Sequence, residues 1–247
     1  MAHAYLQPDW QTAAPGDEIT VSGDEARHAV KVARLRVGEE ITLLNGRGSR
    51  VGGVVTATSA GEFVVRALED AVAEPAPSPR LVLVQGLAKG GRDEMALQAA
   101  VELGVDAVVP WQAQRSVSKW VGEKARKNRA RWESIAREAA KQSIRAWIPE
   151  VHEVATTAAL ATNFSTGLVL ALDPSGAVRL GEVPLDDLAP GDSLTLIVGP
   201  EGGVSDAEIA KFESAGAVTV RLGENVLRTS TAGPAAIAAL LTRLRRW

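Results

Sequence analysis

A chain of 247 residues that is 46% hydrophobic and 23% charged, with a net charge of −3, has the profile of a folded protein long enough to bury a substantial core. It has no cysteine, which excludes disulfide frameworks, thiolate catalysis, iron–sulfur clusters and cysteine zinc sites; His3, His28 and His152 are scattered, so no metal is expected. Neither a signal-peptide pattern nor an apolar run of about 18 residues is present, and the expectation is a cytoplasmic protein with no membrane partner.

Residues 1–72 read as a small β-rich domain. Short β-type runs fall at Ile19–Val21, Glu40–Leu44, Val51–Thr56 and Glu62–Ala67, with an Asn45-Gly46 turn signal between the second and third. One helix is expected among them, from about Asp24 to Leu35. On it Arg27, Lys31 and Arg34 fall at i, i+4 and i+7, opposite Ala26, Ala29, Val30 and Ala33. The segment 73–80, with Pro75, Pro77 and Pro79, can continue neither a ladder nor a helix and reads as a linker.

From 81 to 247 the pattern alternates strand with helix. Apolar runs at Leu81–Gln85, Val105–Pro110, Leu168–Leu172, Leu194–Val198 and Val218–Leu222 have the character of buried parallel strands. Helices are expected at Arg92–Leu103, Gly122–Ala146, Ser205–Ala215 and Thr231–Arg245. This alternation predicts an α/β domain with a mostly parallel sheet. Between Arg115 and Arg145 there are ten Lys and Arg against Glu123, Glu133 and Glu138, a segregation of charge that suits a face turned to nucleic acid. Trp111, Trp120, Trp132 and Trp147 are expected in packing rather than on bases.

Two strand ends carry the sharpest local signals. The run Leu194–Val198 enters Gly199-Pro-Glu-Gly-Gly203, and Ser205 with Glu208 then has the spacing of a capping box. Glycines at the carboxyl end of a strand admit close approach of main-chain groups to a ligand, and open α/β sheets bind ligands there. The second signal is Leu222-Gly-Glu-Asn-Val-Leu-Arg-Thr229, in which Arg228 precedes hydroxyl residues that could cap the last helix. A third strand end, Leu172-Asp-Pro-Ser-Gly176, has turn chemistry. No phosphate loop is present, since no Gly-Lys-Ser/Thr follows Gly86–Gly91.

These loops together resemble the SPOUT methyltransferases of the RsmE type. The similarity rests on Gly199–Gly203 followed by Leu222–Thr229, Thr231 and Ala232. It extends to Glu102–Val105 with Pro110, to Arg115-Ser116, to Gln142, Arg145 and Pro149, and to a His28–Arg36 element. The resemblance implies an α/β fold: a C-terminal SPOUT domain with a trefoil knot and an N-terminal PUA-like β-barrel that holds RNA. It also implies a homodimer, S-adenosyl-L-methionine as cofactor, and methylation of N3 of a uridine in small-subunit (16S) ribosomal RNA. The implied cofactor contacts are Leu172, Gly199, Pro200, Glu201, Gly202, Gly203, Leu222, Gly223, Leu227 and Thr229. The chain departs from the family at Asn225, where many relatives carry arginine, and at Ser230, where glutamate is usual; Ala99 and Lys141 replace a frequent lysine and glutamate.

Uracil N3 is a poor nucleophile until its proton leaves, and Arg228 is the candidate to stabilise the resulting anion. N3 lies on the Watson–Crick edge, so the base must be unpaired or flipped out. Candidate RNA contacts are Arg27, His28, Lys31, Arg34, Arg36, Lys89, Arg115 and Arg145, on ribosomal RNA or the small subunit. Two alternatives stay open on these residues: a non-catalytic RNA-binding ribosome assembly factor, and a SPOUT methyltransferase acting on transfer RNA.

Overall fold

The computed structural model describes residues 3–164 and 167–247. The chain divides into two compact units, Met1–Ala76 with Arg137–Ile148, and Pro77–Ala136 with Pro149–Trp247.

The first unit contains β1 (His3–Leu6), β2 (Glu18–Ser22), α1 (Gly23–Lys31), β3 (Glu40–Leu44), β4 (Ser49–Ser59), β5 (Glu62–Ala67) and β6 (Val72–Ala73). They form a mixed, half-barrel-like sheet in the order β1-β3-β4-β5-β2, with β6 on β4. Only the β1–β3 pair is parallel. Period-two alternation turns Val21, Leu43, Val51, Phe63 and Val65 into one core, which Ala26 and Ala29 of α1 close. The β3–β4 connection is the expected Asn45-Gly46 turn: the Asn45 carboxamide accepts the amides of Arg47 (2.8 Å) and Ser49 (2.9 Å).

α1 stops at Lys31, short of the expected Leu35. Arg34 takes a left-handed conformation (φ 58°), and the Leu35 amide returns to the Ala29 carbonyl at 3.0 Å. This ending is the one glycine usually provides, so no glycine marks it in the sequence. Arg34 therefore lies beyond the helical stripe of Arg27 and Lys31, and Ala33 is exposed.

Residues 137–148 complete this unit. The Gly48 amide donates to the Ala146 carbonyl (3.0 Å) and the Ile148 amide to that of Gly46 (3.1 Å). Trp147 packs on Gly48, where a Cβ would lie 2.6 Å from the indole, and its Nε1 donates to the Glu74 carbonyl. Lys141, whose side chain is 9% exposed, donates to Glu25 of α1 at 2.9 Å and to Glu138 at 3.1 Å.

The second unit follows the expected alternation. Its elements are β7 (Arg80–Gly86), α2 (Arg92–Leu103), β8 (Ala107–Gln112), α3 (Glu123–Gln142, whose last residues fall in the first unit), β9 (Glu150–Val151), β10 (Ala155–Thr156), α4 (Thr157–Thr162), β11 (Gly167–Leu172), β12 (Val178–Arg179), β13 (Ser193–Val198), α5 (Asp206–Ser214), β14 (Val218–Arg221) and α6 (Thr229–Arg243). The sheet order is β10-β8-β7-β13-β11-β14-β12, with β9 on β8, and every pairing is parallel. The central β7 and β13 bury Leu81, Leu83, Leu194, Leu196 and Ile197, as continuous apolar strands covered on both faces do. The indoles are packed as expected: Trp111 stands edge-on to Phe212 (5.4 Å) and Trp120 to Trp132 (5.1 Å).

The Lys141–Glu25 pair should hold segment 137–148 to the β-rich unit. Lys141→Ala is expected to cost about 3 kcal/mol in denaturant unfolding, because it leaves Glu25 unpaired in a largely buried place. The double change Glu25→Gln with Lys141→Met should recover part of that loss.

Candidate active site

The site follows from strand register. In β11, β13 and β14, Leu172 stands beside Val198 on one side and Val220 on the other. Three parallel strands therefore end at one height, and the loops that leave them must share the same space. A cavity of about 530 Å³ opens there, within the range of about 300–1,000 Å³ usual for small-molecule sites.

Its lining comes from those three loops and from Arg92 at the start of α2. The β11 loop contributes Leu172, Asp173 and Pro174. The β13 loop contributes Gly199, Pro200, Glu201 and Gly203. From the third loop come Leu222, Gly223, Leu227, Arg228 and Thr229. Of the expected cofactor contacts only Gly202 is absent from the lining; it faces Arg115, whose Cβ would lie 3.0 Å from a Cβ added there. Close approach is enforced at Gly86, the last residue of β7, where a Cβ would meet the Pro200 nitrogen at 2.6 Å.

Similarity to known proteins agrees with this geometry. The RNA methyltransferase domain family matches residues 74–241, and the RNA methyltransferase PUA domain family matches residues 21–68. A relative from Mycobacterium bovis named ribosomal RNA small subunit methyltransferase E is 39% identical over 94% of this chain and 89% of its own length. The chain belongs to the RNA methyltransferase family. Among solved structures, a ribosomal RNA small subunit methyltransferase E from Neisseria gonorrhoeae bound to S-adenosyl methionine superposes with a TM-score of 0.86 at 28% identity, covering 98% of both chains. A Legionella pneumophila protein in complex with the bound cofactor SAM gives 0.86 at 29% identity, again over 98% of each chain.

In this family member, polar contacts fix the bend after β13. Glu201 Oε1 accepts the Lys89 amide (3.1 Å) and the Arg92 guanidinium (2.9 Å). Partial burial acts to raise its pKa, but the amides of Glu201 itself and Lys89, with Arg92, outweigh that and hold the carboxyl below its usual value. The Arg115 guanidinium donates to the carbonyls of Gly202 (3.0 Å) and Val204 (3.2 Å). Sequence reasoning missed Arg92: a lone arginine at a helix start gives no signal, and only β7–β13 pairing brings it to the loop.

Behind the bend, the capping box of α5 is present as expected. The Ser205 hydroxyl accepts the Glu208 amide, and Glu208 Oε2 accepts from the Ser205 amide and hydroxyl. Glu208, 5% exposed, also accepts the Gln114 amide and the Thr157 hydroxyl, each at 2.8 Å. Burial works to raise its pKa, and these four bonds overcome it and lower the net value.

Arg228 is the N-cap residue of α6. Its side chain is exposed, lines the cavity, and has no hydrogen bond or ion pair among the described residues. The other expected RNA contacts vary. Arg27, His28, Lys31, Arg34 and Arg36 are all exposed on the first unit, with Arg27 paired to Asp24. Lys89 is exposed beside the β13 bend, and Arg145 is half-buried. In the basic segment Lys127, Arg129, Arg131 and Lys141 have carboxylate partners, whereas Lys119, Lys124, Arg126 and Arg137 have none among the described residues.

Glu208 gives the fold a pH dependence. Its folded pKa lies below the unfolded one, so the unfolded state binds more protons between the two values. The stabilisation is complete above the unfolded value near 4.5 and is lost as pH falls through the folded value. Glu208→Gln, which sets an amide donor against amide donors, should cost about 1–3 kcal/mol at pH 7 and flatten the acid limb of a stability–pH curve.

Proposed function

We propose that this chain transfers a methyl group from S-adenosylmethionine to N3 of a uridine in small-subunit ribosomal RNA, as a cytoplasmic homodimer with a knotted C-terminal domain. The observation that carries the reading is the cavity of about 530 Å³ formed by three in-register strand ends, in a chain with relatives named ribosomal RNA small subunit methyltransferase E, one of them solved bound to S-adenosyl methionine.

The residues present fit the cofactor. Leu172, Val198, Leu222 and Leu227 offer apolar walls for an adenosyl group, and the glycine-rich bend offers main-chain donors and acceptors without Cβ obstruction. Backbone groups of Gly199–Gly203, Leu222, Gly223 and Leu227, with Thr229, would hold it. When bound, S-adenosylmethionine supplies an electrophilic methyl group on a sulfonium.

The chain's own part is positioning and electrostatics. An unpaired guanidinium at the cavity edge suits stabilisation of a uracil anion through O2 or O4 once N3 loses its proton. The α6 N-terminus behind Arg228 adds a field of the same sign. Exposed Arg27, His28, Lys31, Arg34 and Arg36 give the PUA unit a cationic surface for RNA phosphates, and Lys89 and Arg115 place cations near the cofactor loop.

Mass spectrometry of ribosomal RNA from a strain lacking this chain should show one missing N3-methyluridine in the small subunit; a complete set of modifications would overturn the reading. Arg228→Ala should lower the single-turnover methylation rate by about 10²–10³, with cofactor affinity measured by calorimetry close to that of the native chain.

A further inference from the structure

The end of β7 carries a side chain that packing does not explain. Gln85 is fully buried, in register with Val198 of β13 and Pro110 of β8. Its Nε2 donates to the Thr229 hydroxyl at 2.9 Å and to the Gly86 carbonyl at 3.1 Å. The Thr229 hydroxyl in turn lies 2.7 Å from the Gly199 carbonyl. A carbonyl only accepts, so the hydroxyl proton is committed to Gly199, and the same hydroxyl must accept from Gln85. Turning the amide over would set Oε1 against the Gly86 carbonyl, which fixes its orientation.

Gln85 Oε1 is buried with no hydrogen-bond partner among the described residues. An unpartnered buried amide oxygen is destabilising. Methionine has a similar length and would fill the same space without that defect. Stability alone therefore does not account for a glutamine here.

We propose that Gln85 is a positioning residue: through Thr229 it fixes the Gly199 carbonyl and the turn that presents Arg228. Thr229 is the first residue of α6 and Arg228 its N-cap, so the relay ties the start of that helix to the bend after β13. Thr229 and Gly199 line the cavity, and Gln85 stands behind them in the core. With the amide removed, the hydroxyl can rotate away from Gly199, and the two loops lose their fixed spacing. The proposal rests on the cofactor reading above.

The test compares Gln85→Met, Thr229→Val and the double variant in the full chain. The measurements are S-adenosylmethionine affinity by calorimetry, the single-turnover rate at saturating cofactor and RNA, and the thermal midpoint. Gln85→Met should keep or raise the midpoint while weakening cofactor affinity, or slowing the rate, by about tenfold, the size expected for one lost hydrogen bond. The double variant should be no worse than Thr229→Val alone, because both changes break one relay. A lowered midpoint with unchanged affinity and rate would mark Gln85 as merely structural and overturn the proposal, as would additive effects. A native chain that binds no S-adenosylmethionine overturns the cofactor reading and the proposal with it. Absent coupling in a native chain that does bind overturns the proposal alone.

Discussion

The site depends on the parallel pairing of β13 between β7 and β11, with β14 on the far side of β11. Parallel strands in register deliver their carboxyl ends to one edge, and each loop then starts from the same level. No single loop encloses the cavity. The bend at Gly199–Gly203 has a neighbour on one side because Leu172 stands level with Val198, and on the other because Gln85 does. A slip of one residue in any of these ladders would turn the flanking side chains to the opposite face and separate the loops. The depth of burial in β7 and β13 is what fixes the register, since their apolar side chains have no solvent face to accept.

Charge is distributed by a similar economy. The segment from Arg115 to Arg145 looks in sequence like an unbroken basic face, yet several of its cations are bound internally. Arg115 holds two carbonyls, Arg131 meets Glu94, and Lys141 meets Glu25 and Glu138. Arg129 has Glu133 and the Val151 carbonyl. The exposed cations of this segment without a partner among the described residues are Lys119, Lys124, Arg126 and Arg137, fewer than the composition suggests. Exposed pairs add little stability, so the unpaired cations are the ones a polyanion can reach with the least competition.

Most elements of the second unit were legible because each is a self-contained signal. Apolar runs of strand length alternate with helices, one of them announced by its capping box, and Gly199–Gly203 and Leu222–Thr229 stand at strand ends as their glycines suggest. What could not be read depends on contacts distant in sequence. β1 is a single short strand whose identity comes from its parallel partner β3, and nothing in His3–Leu6 names that partner. The return of residues 137–148 to the β-rich unit depends on Gly48 accommodating Trp147 across about a hundred residues, a fit that no local pattern encodes. Arg92 belongs to the same class. Composition also cannot show that the exposed Arg115 donates to the carbonyls of Gly202 and Val204, because those partners lie about ninety residues away in the chain.

The unsatisfied polar atoms say something about where the fold gives up stability. Among the described residues, the buried side-chain atoms without partners are Trp10 Nε1, Gln85 Oε1 and Ser116 Oγ. Two of these adjoin the bend after β13: Gln85 precedes Gly86, which is packed against Pro200, and Ser116 follows Arg115, which is bonded to Gly202 and Val204. A core optimised only for packing would carry apolar side chains at both places. Local rules that fail beside a cavity-lining loop, in a unit that otherwise obeys them, are the mark of positions constrained by geometry rather than by burial. Around this bend Thr229 and Arg115 donate to the main-chain carbonyls of Gly199, Gly202 and Val204, and Glu201 accepts the Lys89 amide, so side chains bind main-chain groups at the point where three strands end.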